Sequence, residues 1–89
     1  MATITIPVNG TDVTMNVARN TEHNTVTVTF MAPPGAGGPA QSQPFSSISE
    51  ICSKQAENGC TYCMRPKPGL SWGQVVSAAD LKWEVSCTA

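Results

Sequence analysis

Four cysteines in a chain of 89 residues constrain this fold more than any other feature of the sequence. Cys52, Cys60 and Cys63 fall within one short central stretch, whereas Cys87 lies near the far end of the sequence. A chain of this size buries only about 60–65% of the surface that its unfolded form exposes, so its apolar core is thin. A linkage among the cysteines would therefore stabilise the fold substantially and would join the central stretch to the last segment.

The spacing of the cysteines leaves three chemical states open. Cys52, Cys60, Cys63 and Cys87 could bind one structural zinc as thiolates, with Cys60 and Cys63 spaced like a zinc knuckle and His23 as a substitute ligand. An even number of cysteines in a short chain with few charges also fits two disulfides. The favoured pairings are Cys52–Cys60 with Cys63–Cys87, or Cys52–Cys63 with Cys60–Cys87. Buried free thiols are the third state, which suits Cys52 and Cys87 better than the other two.

The first thirty residues alternate between apolar and polar side chains, which is typical of a half-buried antiparallel sheet. Asn9-Gly10 predicts a two-residue type I′ turn, because both central residues of that turn need a positive φ. Such a turn places Ile6 opposite Val13 and gathers the apolar side chains on one face. Pro7 has no N–H, so we expect the first strand to lie at an edge of the sheet.

A third strand is predicted over residues 25–30, after a polar turn. We expect Val17 to lie opposite Val26, which would keep the apolar residues of this three-stranded meander together. The other face should be exposed to solvent, because antiparallel sheets commonly keep one wet face. That face carries a series of threonines: Thr3, Thr5, Thr14, Thr25, Thr27 and Thr29.

Residues 33–44 carry no charge and no large apolar side chain, and they are rich in proline and glycine. We expect this segment to be a flexible arm that does not pack against the rest of the domain. A loop of this length in a small domain is often functional.

Residues 47–58 are predicted to form a helix. Ser47 and Glu50 have the spacing of a capping box, Ile48 and Ile51 fall on one helical face, and Gly59 follows as a stop signal. Cys60–Cys63 would then form a knuckle, and residues 71–79 a second short helix that Gly73 weakens.

The alternation of residues 81–87 predicts a final strand, with Leu81, Trp83, Val85 and Cys87 facing the core. The expected fold class is therefore α+β: a three-stranded antiparallel meander plus a C-terminal fourth strand, packed against one or two short helices, with a cysteine-containing knuckle. The length predicts one domain over residues 1–89.

The charge pattern argues against several classes of partner. The net charge is −1, and the five basic residues are scattered along the sequence, so no nucleic-acid or membrane-binding patch is apparent. No signal peptide and no apolar run of about 20 residues is visible, which predicts a soluble protein made in the cytoplasm, with incorporation into a particle as one destination.

Three functional hypotheses follow. The first is a small non-enzymatic structural or protein-binding domain, such as an accessory component of a virus particle, which docks on a larger assembly or on itself. The second is a zinc-knuckle module in which Arg65, Lys67 and Tyr62 contact nucleic acid. The third, a thiol oxidoreductase, is disfavoured because Cys60 would follow a helix instead of beginning one. Trp72 and Trp83 are expected in the core, and Tyr62 and Trp72, next to turns, are also candidate contact aromatics.

Overall fold

The computed structural model describes residues 2–88, and it divides them between two antiparallel sheets. The first sheet has the order β1-β2-β3-β4 and the second has the order β5-β6-β7. The strands are β1 (Ala2–Val8), β2 (Thr11–Asn20), β3 (Thr25–Ala32), β4 (Gln41–Pro44), β5 (Ile51–Cys52), β6 (Cys60–Pro66) and β7 (Leu81–Cys87).

The N-terminal hairpin confirms the prediction from the Asn9-Gly10 turn. Asn9 and Gly10 have φ values of 50° and 84°, as a type I′ turn requires. Ile6 lies opposite Val13, and β1 is an edge strand that contains Pro7. Local turn chemistry therefore determines the register of this hairpin. The lack of an N–H on Pro7 suits the edge position of β1.

The expected register of β3 is wrong by two residues. Val17 lies opposite Val28 instead of Val26, and Val26 lies opposite Arg19. The cause is the turn: Asn20 pairs with Thr25, so the strands continue further into the polar segment than the apolar residues indicate. A shift of two residues keeps every side chain on the same face, and the apolar face is therefore preserved.

The helix predicted over residues 47–58 is absent from the described chain, and strand β5 lies there instead. Ile51 pairs with Met64 of β6, and the Ser53 N–H donates to the Tyr62 carbonyl at 2.8 Å. Partners on β6 therefore bond to the main-chain N–H and C=O groups that a helix would have bonded internally. A helix of about twelve residues is marginal on its own, so tertiary pairing overrides the capping signal.

The α+β prediction is therefore wrong. Strands account for 52% of residues 2–88 and helical turns for 7%, and these residues contain no true helix. The second expected helix is replaced by two 3-10 turns, Trp72–Gln74 and Ala78–Asp80. The cysteine knuckle is strand β6, and the predicted fourth strand, β7, belongs to the second sheet.

Residues 33–44 pack against the domain, contrary to the expectation that they could not. Ala36 is fully buried, and its carbonyl accepts a hydrogen bond from the Lys54 N–H at 3.1 Å. Gln41–Pro44 is β4, which pairs with β3 at the edge of the first sheet. Small residues allow this close approach, since the segment packs through its backbone and the buried side chains of Pro33 and Ala36.

The two sheets share a single apolar core. Val13, Met15 and Val26 of the first sheet and Met64 of the second are fully buried in it. Trp72 fills the same core, and its indole Nε1 donates to the Ser49 carbonyl at 2.6 Å. That bond ties the segment between the sheets to the loop that precedes β7.

Replacing Gly35 tests the packing of the 33–44 segment. Gly35 has a φ of +87°, and an added Cβ would lie 2.8 Å from the main-chain nitrogen of Glu57. Gly69 has a φ of +90° with no atom within 4 Å of its Cβ position, so Gly69→Ala is the matched control for backbone strain. We expect Gly35→Ala to destabilise the protein by about 1–3 kcal/mol more than Gly69→Ala in urea unfolding. Equal losses would show that this segment is not packed against Glu57.

Candidate binding surface

The four cysteines form two disulfides, Cys52–Cys63 and Cys60–Cys87, which is one of the two pairings favoured from the sequence. Each bond joins residues directly opposite one another on neighbouring strands. The Cα–Cα distances are 4.0 Å and 3.9 Å, which are close to the narrow spacing of non-hydrogen-bonded pairs. The bonds therefore connect all three strands of the second sheet covalently.

The two disulfides lie on opposite faces of that sheet, because side chains alternate along β6. Cys60 shares the core face with the buried Tyr62 and packs against the core. Cys63 lies on the other face, where it is half-buried. The four sulfurs predicted to converge on one zinc are thus divided into two separate pairs.

The remaining cluster of potential metal ligands consists of Glu50, Cys52 and Cys63, whose ligand atoms lie within 4.8 Å of one another. Cysteine binds zinc as a thiolate, and these two sulfurs are bonded to each other. The donor set therefore does not fit a structural zinc while the disulfide is intact. His23, the substitute ligand considered from the sequence, is exposed in the turn between β2 and β3.

Three of the five basic residues gather where β6 ends and β7 begins. Arg65 lies opposite Lys82, and the Lys67 N–H donates to the Asp80 carbonyl at 2.9 Å. These residues are scattered along the sequence, and only the pairing of β6 with β7 brings them together. Glu84 lies on the same face, opposite Cys63, so this end of the sheet carries charges of both signs.

Trp83 is the large aromatic side chain of this region, and 44% of it is exposed. The alternation of β7 led to the expectation that Trp83 lies in the core, and this is wrong. Leu81 is fully buried, but Trp83 lies further along an edge strand that only β6 flanks among the described residues. The sequence pattern identifies the face of a strand but does not show whether anything covers that face.

Two shallow clefts flank Lys67. One, of about 290 Å³, lies between Arg65 and Ile48 and is lined by the loop over residues 66–70. The other, of about 270 Å³, is lined by Lys67, Leu81, Lys82 and Trp83. We use the name β7 surface for Ile48, Arg65, the 66–70 loop, Lys82, Trp83 and Glu84.

The turn before β7 is fixed by a carboxylate. Asp80 Oδ2 accepts hydrogen bonds from the main-chain N–H groups of Val76 at 3.0 Å and Ser77 at 3.2 Å. The Val76 bond is the main reason that the pKa of the Asp80 carboxyl is below its ordinary value of 3.8. This ionised group positions the chain as it enters the β7 surface.

Two other candidate contact residues are not available to a partner. Tyr62 and Trp72 are both buried, and the Tyr62 hydroxyl accepts a hydrogen bond from Asn58 Nδ2 at 2.9 Å. On the threonine face of the first sheet, some hydroxyl groups bond to one another: the Thr5 and Thr14 hydroxyls share a hydrogen bond of 3.1 Å. These contacts leave Trp83 as the exposed aromatic ring beside charged groups.

The comparisons with known proteins found no matching family model, no similar curated protein and no similar solved structure. Among residues 2–88, no helix has the length and apolar character needed to cross a membrane. The assignment of a function therefore depends on the β7 surface and the strand edges.

The two disulfides should contribute unequally to stability. The Cys60–Cys87 bond spans 27 positions and the Cys52–Cys63 bond spans 11, which correspond to about 3.5 and about 3 kcal/mol of loop entropy. We expect the Cys60→Ala/Cys87→Ala pair to lower the free energy of unfolding by more than about 2 kcal/mol, and by more than the Cys52→Ala/Cys63→Ala pair does. Urea unfolding without reductant measures both losses. A midpoint unchanged by the first double variant would mean that this bond does not hold β7.

Proposed function

We propose that this chain is a small non-enzymatic protein-binding domain that docks on a larger protein assembly, such as a virus particle. The observation that carries the proposal is the exposed Trp83 at an open strand edge, between the exposed charged residues Lys82 and Glu84 of the same strand. Tryptophan and arginine are enriched in protein interfaces, and a partly exposed indole offers a large rigid contact area. An open edge also offers main-chain hydrogen bonds to an added strand.

The covalent structure supports a location outside a reducing cytosol. Disulfides persist in oxidising compartments and on particle surfaces, whereas cytosolic thiol systems keep cysteines reduced. Two disulfides join every strand of the second sheet, so that half of the domain depends on an oxidising environment. An assembly exposed to such an environment is therefore the proposed setting.

A nucleic-acid partner is the competing hypothesis, because Arg65, Lys67 and Lys82 lie near an aromatic ring. The zinc knuckle that this hypothesis used has no free thiolate in the oxidised protein. Glu50 and Glu84 also line a cleft with Arg65 and Lys82, which reduces the local positive potential. Three cations with two nearby carboxylates favour a protein over a phosphate backbone.

An affinity capture experiment tests the proposal. Oxidised protein is immobilised and exposed to lysate of the producing cells, with Trp83→Ala as the test variant and Met31→Ala as the control. Met31 is 61% exposed and lies on β3, outside the β7 surface. We expect the same identified proteins to be retained by wild type and Met31→Ala, with at least about tenfold less on Trp83→Ala, which corresponds to about 1.4 kcal/mol.

Two outcomes of the capture experiment would contradict the proposal. Equal retention by both variants would show that the β7 surface is not the docking site. Retention of RNA or DNA that salt removes and nuclease abolishes would replace the proposal with the nucleic-acid hypothesis. Circular dichroism and free-thiol counts on each variant confirm that Trp83→Ala folds and keeps both disulfides.

A further inference from the structure

The β7 edge differs from the other strand edges of the molecule. β1 is an edge with Pro7 in it, β4 has four residues and ends at Pro44, and β5 has two residues. Prolines and short strands are devices that prevent edge pairing. β7 has seven residues and no proline, and β6 alone pairs with it within residues 2–88. β7 is therefore the long edge that lacks these devices.

The main chain of β7 presents free groups at apolar positions. The Thr88 N–H donates to the Gly59 carbonyl at 2.9 Å, which fixes the alternation of hydrogen bonds along the β6–β7 pair. By that alternation, the N–H and C=O groups of Trp83 and Val85 point away from β6. An added strand would therefore bond to the main chain at these two residues.

The two charged residues of β7 limit which strand can be added. Lys82 and Glu84 flank Trp83 and both are exposed. Within the chain, Lys82 lies opposite the like-charged Arg65, and Glu84 lies opposite Cys63. Neither residue has an opposite charge across from it on β6, so each is available to a charge on an added strand.

We propose that the strand added at this edge is β7 of a second copy of this chain, antiparallel and centred on Trp83. In that register each Lys82 lies opposite Glu84 of the second copy, and the same pair forms twice about the two-fold axis. Trp83 lies opposite Trp83 of the second copy. Leu81 lies opposite Val85, but Leu81 is already fully buried in each copy, so the Trp83 pair is the main apolar contact. Opposite charges directly across a sheet are stabilising, as are apolar and aromatic pairs. The inference rests on the proposed function, because it identifies the protein partner of the same surface.

Neighbouring registers of the same edge are disfavoured by charge. A shift of the axis to Glu84 would place the two Glu84 carboxylates opposite each other, and a shift to Lys82 would do the same for the two ammonium groups. Like charges directly across a sheet are destabilising. The sequence Lys82-Trp83-Glu84 is thus self-complementary about its central residue, as an isologous two-fold contact requires. The product would be one continuous sheet built from the second sheets of two molecules.

Reversing the charge of Lys82 or of Glu84 tests the proposed dimer, because combining the two changes should restore it. Light scattering coupled to size-exclusion chromatography is run from about 10 μM to about 1 mM, the range in which an interface of modest size is detected. We expect wild type to approach twice the monomer mass of 9.3 kDa as the concentration rises. Lys82→Glu and Glu84→Lys should each remain monomeric, because each alone places like charges across the axis in both positions. Glu22→Lys, in the distant β2–β3 turn, is the matched control and should dimerise as wild type does.

Mixing the two single variants is the decisive step. A copy with Lys82→Glu and a copy with Glu84→Lys carry opposite charges at both contacts, so an equimolar mixture should form the dimer that neither forms alone. The double variant Lys82→Glu/Glu84→Lys should also dimerise. Recovery in the mixture excludes misfolding as the cause of the monomeric state.

The results that would overturn self-pairing differ from those that would overturn the docking function. A wild-type protein that is monomeric up to about 1 mM would overturn the self-pairing. A dimer that persists in both single variants, or a mixture that stays monomeric, would overturn it as well. If a different protein is captured in a Trp83-dependent manner by monomeric wild type, the docking function stands and the partner is not a second copy.

Discussion

The pairing of β6 with β7 is the interaction on which most of this structure depends. It brings Leu81 into the core opposite Pro66, aligns Arg65 with Lys82, and leaves Trp83 at an open edge. The Cys60–Cys87 bond joins the far end of the same pair, 27 positions apart in sequence. Without this pairing the chain would lose both the second sheet and the β7 surface.

The first sheet has a different physical basis. Its first three strands are joined by short turns, and its apolar face is supplied by regular alternation along β1, β2 and β3. Such contacts are local and need little loop closure. The second sheet is assembled from segments that are far apart, with a two-residue strand at one edge, so its pairing incurs a larger entropy cost. Disulfides on both of its faces offset that cost by restricting the unfolded chain.

The contrast between the sheets explains what could be predicted from the sequence. The Asn9-Gly10 turn determined the hairpin register because a two-residue loop allows one pairing. The capping signal at Ser47 and Glu50 was equally local, yet the partners of Ile51 and Ser53 lie on β6, outside any local window. The prediction that Trp83 lies in the core failed for a related reason, since strand alternation does not show which strand lies at the edge of a sheet. The disulfide pairing was narrowed to two alternatives, and the direct opposition of Cys60 and Cys87 across β6 and β7 distinguishes them.

Disulfide mapping tests the central claim most directly. Oxidised, unreduced protein is digested with trypsin and chymotrypsin while any free thiol is blocked, because a thiolate would exchange with the disulfides. Cleavage after Lys54 separates Cys52 from Cys60, cleavage after Tyr62 separates Cys60 from Cys63, and the linked peptides are identified by mass spectrometry. The account predicts one species that joins the Cys52 and Cys63 peptides and another that joins the Cys60 and Cys87 peptides. Peptides that join Cys52 to Cys60 and Cys63 to Cys87, or four free thiols in the native protein, would contradict the β6–β7 pairing and the surface that it builds.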